Sequence, residues 1–150
     1  MRLVVDASVI AKWVLPEPMS AEARALLDHE VMVPDLAFAE IANLLTMRVI
    51  RGEMTASEAS RALQIVLSLN PVSFPSRDLV SEALAMAGNL RHPAYDLVYV
   101  ALARQQGARF VTADKRLVAK IRNLDMPPPW ASLVTPLTDF QPGASAPTLS

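Results

Sequence analysis

The sequence predicts an α/β fold in which helices cover both faces of a parallel sheet. Short apolar runs alternate along the chain with longer segments of helical periodicity, a pattern typical of parallel strands joined by crossover helices. The first run, at residues 3–5, is rich in β-branched residues, as strands buried on both faces usually are. With 150 residues, of which 52% are apolar and 19% charged, the chain is large enough to form one core.

Each element follows from a local signal in the sequence. Asp35 is placed to cap a long helical pattern that stops at Gly52, and Thr55 with Glu58 forms a capping box that begins the next helix. Gly107 ends a later helix. The predicted order is strand 3–5, helix 20–29, strand 31–33, helices 35–51 and 55–69, strand 72–74, helices 77–90 and 95–106, strand 110–112, helix 115–123 and strand 133–134.

Two segments near the C-terminus have compositions that do not suit a packed core. Residues 126–129 include three consecutive prolines, which predict an extended connector. Residues 141–150 are rich in Pro, Gly, Ser and Ala, and we expect them to form a disordered tail. The sequence therefore predicts a single domain over residues 1–140.

Composition excludes several kinds of site. The chain has no cysteine, so neither disulfides nor a thiolate zinc site is available, and a reducing compartment is expected. His29 and His92 are the only histidines and stand in unrelated contexts, which favours oxygen ligands for any metal. No run has the length of a signal peptide core or a membrane span, so we expect a soluble, cytoplasmic protein. The net charge of −1 gives no sign of a basic surface, although catalytic acids would mask one.

Three aspartates stand where a parallel sheet places its ligand site. Asp6 directly follows the first strand, Asp114 closely follows the fourth, and Asp96 lies in the first turn of the helix after Pro93. Open parallel sheets bind ligands beyond the carboxyl ends of their strands, where the strand order reverses. Taken alone, Asp6 and Asp96 are better explained as turn or helix-terminus residues, and Asp114 is explained equally well as a helix cap.

Glu40 is the acid with the least ordinary position. It lies in or beside the apolar stripe of its helix, between Leu36 and Leu44, and the nearest basic residue on that helix is Arg48, two turns away. A carboxylate there is costly unless it is paired, so a cation from solvent is expected. If the first and fourth strands are neighbours, all four acids converge on one crevice, and Mg²⁺ or Mn²⁺ is the ion that suits their oxygen ligands.

Four short stretches carry a resemblance to a known family. They are VDASV at 5–9, AEIANL at 39–44, YDLVYVALA at 95–103 and TADKRL at 112–117. In this order and spacing the chain resembles PIN-domain ribonucleases, and among them the VapC-type toxins of type II toxin–antitoxin systems. The resemblance implies a three-layer α/β/α sandwich with a five-stranded parallel sheet, Mg²⁺- or Mn²⁺-dependent endoribonuclease activity on RNA, a homodimer, and inhibition by a cognate antitoxin.

The resemblance also implies roles for particular residues. Asp6 and Asp96 would be the principal metal ligands, and Glu40 and Asp114 would complete the acidic site. Three polar residues would support them: Ser8 and Thr112 through their hydroxyl groups, and Asn43 by orienting Glu40. Capping of strand ends or simple exposure explains these three equally well.

Other residues are candidates for contacts with RNA on the grounds of charge or ring chemistry. Ordinary solvation of helices is the alternative for every basic candidate, namely Arg48, Arg51, Lys115, Arg116 and Lys120. Trp13, Tyr95 and Tyr99 either stack on bases or fill the core, and we favour the core for Tyr99.

Two alternative functions make different demands on the acidic residues. A catalytically silent PIN-like module would bind a partner only, but it would have no reason to keep four costly acids. A phosphotransfer or phosphatase domain would need a second acid beside Asp6, where Ala7 and Ser8 stand instead.

Helices 35–51 and 55–69 carry more apolar residues than one face of a sheet requires. We therefore expect a groove between these two helices that binds an antitoxin helix. We expect self-association on another face, nearer the fourth and fifth strands.

Overall fold

Residues 1–140 are described by the computed structural model, and they form a five-stranded sheet flanked by helices. The strands are β1 (Arg2–Val5), β2 (Glu30–Pro34), β3 (Val72–Phe74), β4 (Arg109–Thr112) and β5 (Val134–Pro136). Their order in the sheet is β3-β2-β1-β4-β5, and every pairing is parallel. The predicted α/β architecture with five parallel strands is confirmed.

The long helices lie where the sequence places them, with small changes at their ends. The helices are α1 (Ala7–Val14), α2 (Ser20–Ala25), α3 (Leu36–Ile50), α4 (Ala56–Leu69), α5 (Val80–Leu90), α6 (Ala94–Gln106) and α7 (Lys115–Arg122). The segments predicted as helices 20–29 and 77–90 are shorter, because each includes a separate 3-10 turn, at Leu26–Asp28 and at Ser76–Asp78. Gly107 ends α6 in the left-handed conformation, with φ 60°.

Helix α1 was not predicted. Its sequence is apolar on nearly every side, because α1 packs against other elements around it and buries five of its eight residues. Such a run carries no periodicity that separates a short buried helix from a strand. The local signal for its start is Asp6, whose Oδ1 accepts a hydrogen bond from the Val9 backbone at 3.1 Å.

The prediction that Asp35 caps α3 with its side chain was wrong. The Asp35 carboxylate instead accepts a hydrogen bond from the Ser76 backbone N–H at 3.0 Å, and the Ser76 hydroxyl accepts one from the Leu36 N–H at 3.1 Å. The capping group for α3 therefore comes from a segment 40 residues further along the chain. These two hydrogen bonds join α3 to the connection between β3 and α5. No local pattern in the sequence predicts a contact between segments so far apart.

The C-terminal part of the domain differs from its prediction in detail. The extended connector ends at Pro128, since Pro129 begins a 3-10 turn over Pro129–Leu133. The fifth strand begins at Val134, one residue later than predicted. The predicted disordered tail, at residues 141–150, lies outside the described residues. Within residues 1–140, no helix combines the length and apolarity needed to cross a membrane.

The core is centred on the two middle strands. Leu3, Val4 and Val5 of β1 and Phe110 and Val111 of β4 are completely buried. The chain runs from β1 outward through β2 and β3 on one side, and then returns to place β4 and β5 on the other. The strand order therefore reverses between β1 and β4, and the carboxyl ends of these two strands flank the crevice where such sheets bind ligands.

We predict that Thr55→Ala lowers the free energy of unfolding by about 1 kcal/mol. In the structure the Thr55 hydroxyl accepts a hydrogen bond from the Glu58 N–H, and the Glu58 carboxylate accepts one from the Thr55 N–H, both at 3.1 Å. Urea titration measures the loss, and Ser60→Ala, at an exposed position of the same helix, is the control. Equal stability of the two variants would show that this cap contributes nothing.

Candidate metal centre

Asp6 lies at the carboxyl end of β1, beside the end of β4. Its Oδ1 accepts hydrogen bonds from the Ser8 hydroxyl at 2.5 Å and from the Val9 N–H, and its Oδ2 accepts one from the Thr112 hydroxyl. The residue is only 6% exposed. Asp6 is thus a helix cap and a crevice residue at once, and Ser8 and Thr112 fix the direction of its carboxylate.

The environment of Asp6 disfavours its charge. Burial raises the pKa of Asp6 from 3.8 to about 6, although the hydrogen bonds from Ser8, Thr112 and Val9 lower it and only partly offset the burial. The negative charge of Asp96 raises it further. A buried carboxylate whose hydrogen bonds do not compensate its desolvation is a group that a cation would stabilise.

Glu40 projects from α3 and is held by a tyrosine of α6. The Tyr99 hydroxyl donates a hydrogen bond to Glu40 Oε1 at 2.5 Å. Tyr99 is 1% exposed and stacks on Phe110 of β4, with ring centroids 5.6 Å apart, so its expected place in the core is confirmed. Burial raises the pKa of Glu40, and the negative charge of Asp96 raises it further. Burial and the neighbouring Glu40 also raise the pKa of Tyr99, so its hydroxyl keeps the proton that it donates.

Asp96 lies in the first turn of α6 and meets a histidine. His92 Nε2 is 2.5 Å from Asp96 Oδ2, and the His92 side chain is 6% exposed. One candidate ligand atom from each of His92, Asp96 and Asp114 lies within 4.8 Å of the other two. Burial raises the pKa of Asp96, the contact with His92 lowers it, and Asp114 raises it. Asp114 also caps α7, since its Oδ1 accepts hydrogen bonds from the N–H groups of Arg116 and Leu117.

His92 lies at the site but was not among the predicted site residues. Only two histidines are present, in unrelated contexts, and that count argued against imidazole at the site. His92 stands in the short connection between α5 and α6, four residues before Asp96. This proximity to a predicted ligand was the available signal. The structure thus places one imidazole beside the predicted carboxylates.

The four predicted acids form one electrostatic cluster with Asp96 as its common member. Asp96 raises the pKa values of both Asp6 and Glu40, and Asp114 raises that of Asp96. Within residues 1–140, none of the four pairs with a lysine or arginine side chain. Carboxylates concentrated in this way, with one imidazole beside them, fit a divalent cation such as Mg²⁺ or Mn²⁺.

The remaining predicted residues lie at varying distances from this cluster. Asn43 is exposed, and its side chain makes no hydrogen bond to Glu40. Arg48 pairs with Glu17 and, at 3.3 Å, with Glu53, so its guanidinium is already occupied by two carboxylates.

Two other candidates for contact with RNA, Lys120 and Trp13, form hydrogen bonds within the protein. Lys120 donates a hydrogen bond to the Arg91 carbonyl at 2.8 Å. Trp13 is 6% exposed and donates its ring N–H to the Ala23 carbonyl at 2.9 Å, so it is a core residue that no base can stack upon. Exposed candidates for RNA contact remain, namely Arg51, Lys115, Arg116 and Tyr95.

Comparison with known proteins gives a consistent relationship over most of the chain. A family model described as PIN domain matches residues 3–123. A protein named Ribonuclease VapC3, from Pyrobaculum aerophilum, is 36% identical over 135 residues, which cover 85% of this chain and 100% of the relative. Another, named Ribonuclease VapC9, from Mycobacterium tuberculosis, is 36% identical over 116 residues, which cover 77% of this chain and 87% of the relative.

Solved structures share the fold. PAE2754 from Pyrobaculum aerophilum superposes with a TM-score of 0.63 and 27% identity, over 80% of this chain and 79% of that one. The Mycobacterium tuberculosis toxin VapC20, described as cleaving the sarcin–ricin loop, gives a TM-score of 0.59 at 21% identity, over 84% of this chain and 99% of that one. At 21% identity the second likeness concerns the fold alone.

We predict that the metal-free protein loses stability as pH rises, and that Asp6→Asn removes much of this loss. The pKa of Asp6 is raised from 3.8 to about 6, so its contribution is fully present below the unfolded pKa and is lost as pH rises through the folded one. Between about pH 4 and about pH 7, the free energy of unfolding of the wild type should fall by at most about 3 kcal/mol more than that of Asp6→Asn. Urea unfolding in EDTA measures it, with Asp28→Asn at an exposed position as control; parallel curves for wild type and Asp6→Asn would refute the raised pKa.

Proposed function

The chain belongs to the PIN-domain family, and we propose that it is a metal-dependent endoribonuclease that acts as the toxin of a toxin–antitoxin pair. The observation that carries the proposal is the cluster of Asp6, Glu40, Asp96 and Asp114, which no lysine or arginine side chain of residues 1–140 neutralises. Relatives named as VapC ribonucleases, 36% identical to this chain, support the reaction and the substrate class.

Each residue of the cluster has a distinct part in holding the metal. Asp96 lies at the centre and Asp6 faces it from the end of β1, so these two are the principal ligands. Glu40 and Asp114 complete the site directly or through water. A divalent cation held by these residues would supply an activated water and a positive charge against the charge that develops on the phosphoryl group and the leaving oxygen.

The surrounding side chains keep the ligands in place. Ser8 and Thr112 fix the Asp6 carboxylate from two sides, and Tyr99 holds one oxygen of Glu40. His92 lies against Oδ2 of Asp96 and fixes the direction of that carboxylate. Such contacts orient the ligands before the metal arrives and reduce the cost of binding it.

The two alternative functions are less consistent with this arrangement. A silent binding module would gain nothing from three carboxyl groups whose pKa values are raised by burial. A phosphotransfer or phosphatase site would need a second acid next to Asp6. Ala7 is buried there in the start of α1, and Ser8 serves only to hold Asp6.

The antitoxin is proposed to bind α3 and α4. Leu45 and Val66 belong to the core and contribute nothing to this surface. The exposed apolar residues on these helices are Met47, Ile50, Ile65, Leu67 and Leu69, with exposures of 36%, 70%, 45%, 44% and 42%. An amphipathic helix would cover them, and a basic side chain from it would compete with metal. We also infer a cytoplasmic homodimer whose interface lies nearer β4 and β5.

We predict that Asp96→Asn abolishes cleavage of RNA and weakens the stabilisation of the protein by Mn²⁺. An ion that binds only the folded state adds roughly 2.7 kcal/mol at a hundredfold excess over its Kd. Thermal melting with and without Mn²⁺ measures the gain, which should shrink as pH falls towards about 5, because protons compete for carboxylates with raised pKa values. An undiminished Mn²⁺ effect in Asp96→Asn, matched to the Asp28→Asn control, would place the ion elsewhere.

We further predict that Met47→Glu combined with Leu67→Glu prevents capture of the antitoxin, because each substitution puts a charge on the apolar surface of α3 and α4. The partner to use is the product of the adjacent small reading frame, co-expressed with this chain and recovered by pull-down. Leu84→Glu, at a 70% exposed position on α5, is the matched control. Retention of the partner by the double variant would rule out this surface.

A further inference from the structure

A large open cavity lies directly beside the metal centre. Its volume is about 660 Å³, within the range of pockets that bind small organic ligands. The cavity lies between the loop after α1, the helix α7 and the end of β5. Asp114 belongs both to its wall and to the acidic cluster, and Thr112 of the wall donates a hydrogen bond to Asp6, so a ligand in the cavity would be continuous with one held at the metal.

The floor of the cavity is apolar and its edge carries polar groups. Met19, Val118 and Leu137 provide apolar surface on three sides. Asn123 is exposed on the rim, and its side-chain amide makes no hydrogen bond within residues 1–140. Flat apolar contact combined with a free amide suits a nucleobase, which offers two faces to pack and an edge to hydrogen-bond.

The charges around the cavity favour a phosphate-bearing ligand. Lys12, Lys115 and Arg122 line it, and Asp114 is the one acid among the lining residues. Lys115 has no carboxylate partner within residues 1–140, while Lys12 is 3.3 Å from Glu17 and Arg122 is 2.8 Å from the exposed Asp139. Basic side chains around a cavity neutralise the negative charge of nucleic-acid phosphates.

The C-terminal segment suits the cavity less well. Residues 141–150 contain no charged side chain, so they offer no carboxylate to the basic residues Lys12, Lys115 and Arg122 around the cavity. An RNA strand that enters the metal centre brings both a base and its phosphates to the adjoining wall.

We propose that this cavity is a nucleoside-binding subsite, which holds the base of a single-stranded RNA nucleotide next to the phosphate at the metal centre. The inference rests on the proposed ribonuclease function and deepens it, because it locates where sequence preference arises. Met19, Val118 and Leu137 pack against the base, Asn123 contacts its edge, and Lys115 contacts the adjoining phosphate.

The test closes the cavity without touching the acids. Ala119 is an exposed lining residue of α7, so Ala119→Trp fills the cavity from its rim, and Ala85→Trp on exposed α5 is the matched control. Affinity for a fluorescein-labelled ten-nucleotide RNA of mixed sequence is measured by anisotropy, with every protein carrying Asp96→Asn so that no cleavage occurs. We expect about tenfold weaker binding for Ala119→Trp and none of this loss for Ala85→Trp.

A second measurement separates this subsite from the metal. In proteins with all four acids intact, Ala119→Trp should raise the KM for RNA more than it lowers kcat, and the Mn²⁺-induced rise in Tm should equal that of wild type. Asn123→Ala should change the ranking of RNA sequences with little change in Tm.

Each outcome decides the proposal. Unchanged RNA affinity in Ala119→Trp overturns it, and weakened self-association or altered NMR signals of residues 141–150 would then identify a second copy or the C-terminal segment as the occupant. Failure of wild type to bind the RNA at all also overturns it. If the RNA binds through the cavity but is never cut in Mn²⁺, the subsite stands and the proposed ribonuclease function falls.

Discussion

The parallel pairing of β1 with β4 is the constraint on which the site depends. Val5 lies opposite Val111 in the register, so the next residues, Asp6 and Thr112, meet where both strands end. A shift by one residue would turn Asp6 away from the Thr112 hydroxyl. The complete burial of both strands makes that shift costly. The packing of apolar side chains therefore determines where the first carboxylate lies.

Several helices then bring the other acids to the same place. Tyr99 connects the sheet with α3, because its ring stacks on Phe110 of β4 and its hydroxyl donates a hydrogen bond to Glu40 of α3. Asp96 lies one turn before Tyr99 on α6; its charge raises the pKa values of Asp6 and Glu40, and Asp114 raises its own. Burial of these groups costs the metal-free protein stability, and a bound cation would recover it. The same burial and repulsion between carboxylates that destabilise the metal-free site would give it affinity for a divalent cation.

The sequence predicted those parts of the site that depend on local position. Asp6 and Asp114 follow strands, and the rule for the carboxyl ends of parallel sheets was enough to place them. Glu40 was identified because a charge in an apolar stripe requires a partner. Tertiary contacts account for two of the errors, because α1 is buried by its neighbours and the Asp35 carboxylate bonds to a distant turn. His92 was missed although it lies only four residues before Asp96, because the small number of histidines argued against an imidazole at the site.

The most direct test of the account is the position of a bound ion in the crystal. Crystals grown with Mn²⁺ and measured near the manganese absorption edge would reveal the ion by its anomalous scattering. The account predicts a peak about 2.1 Å from an Asp96 carboxylate oxygen, with Asp6 in contact directly or through water. A strong peak confined to surface carboxylates outside the cluster, with none at Asp96, would contradict it.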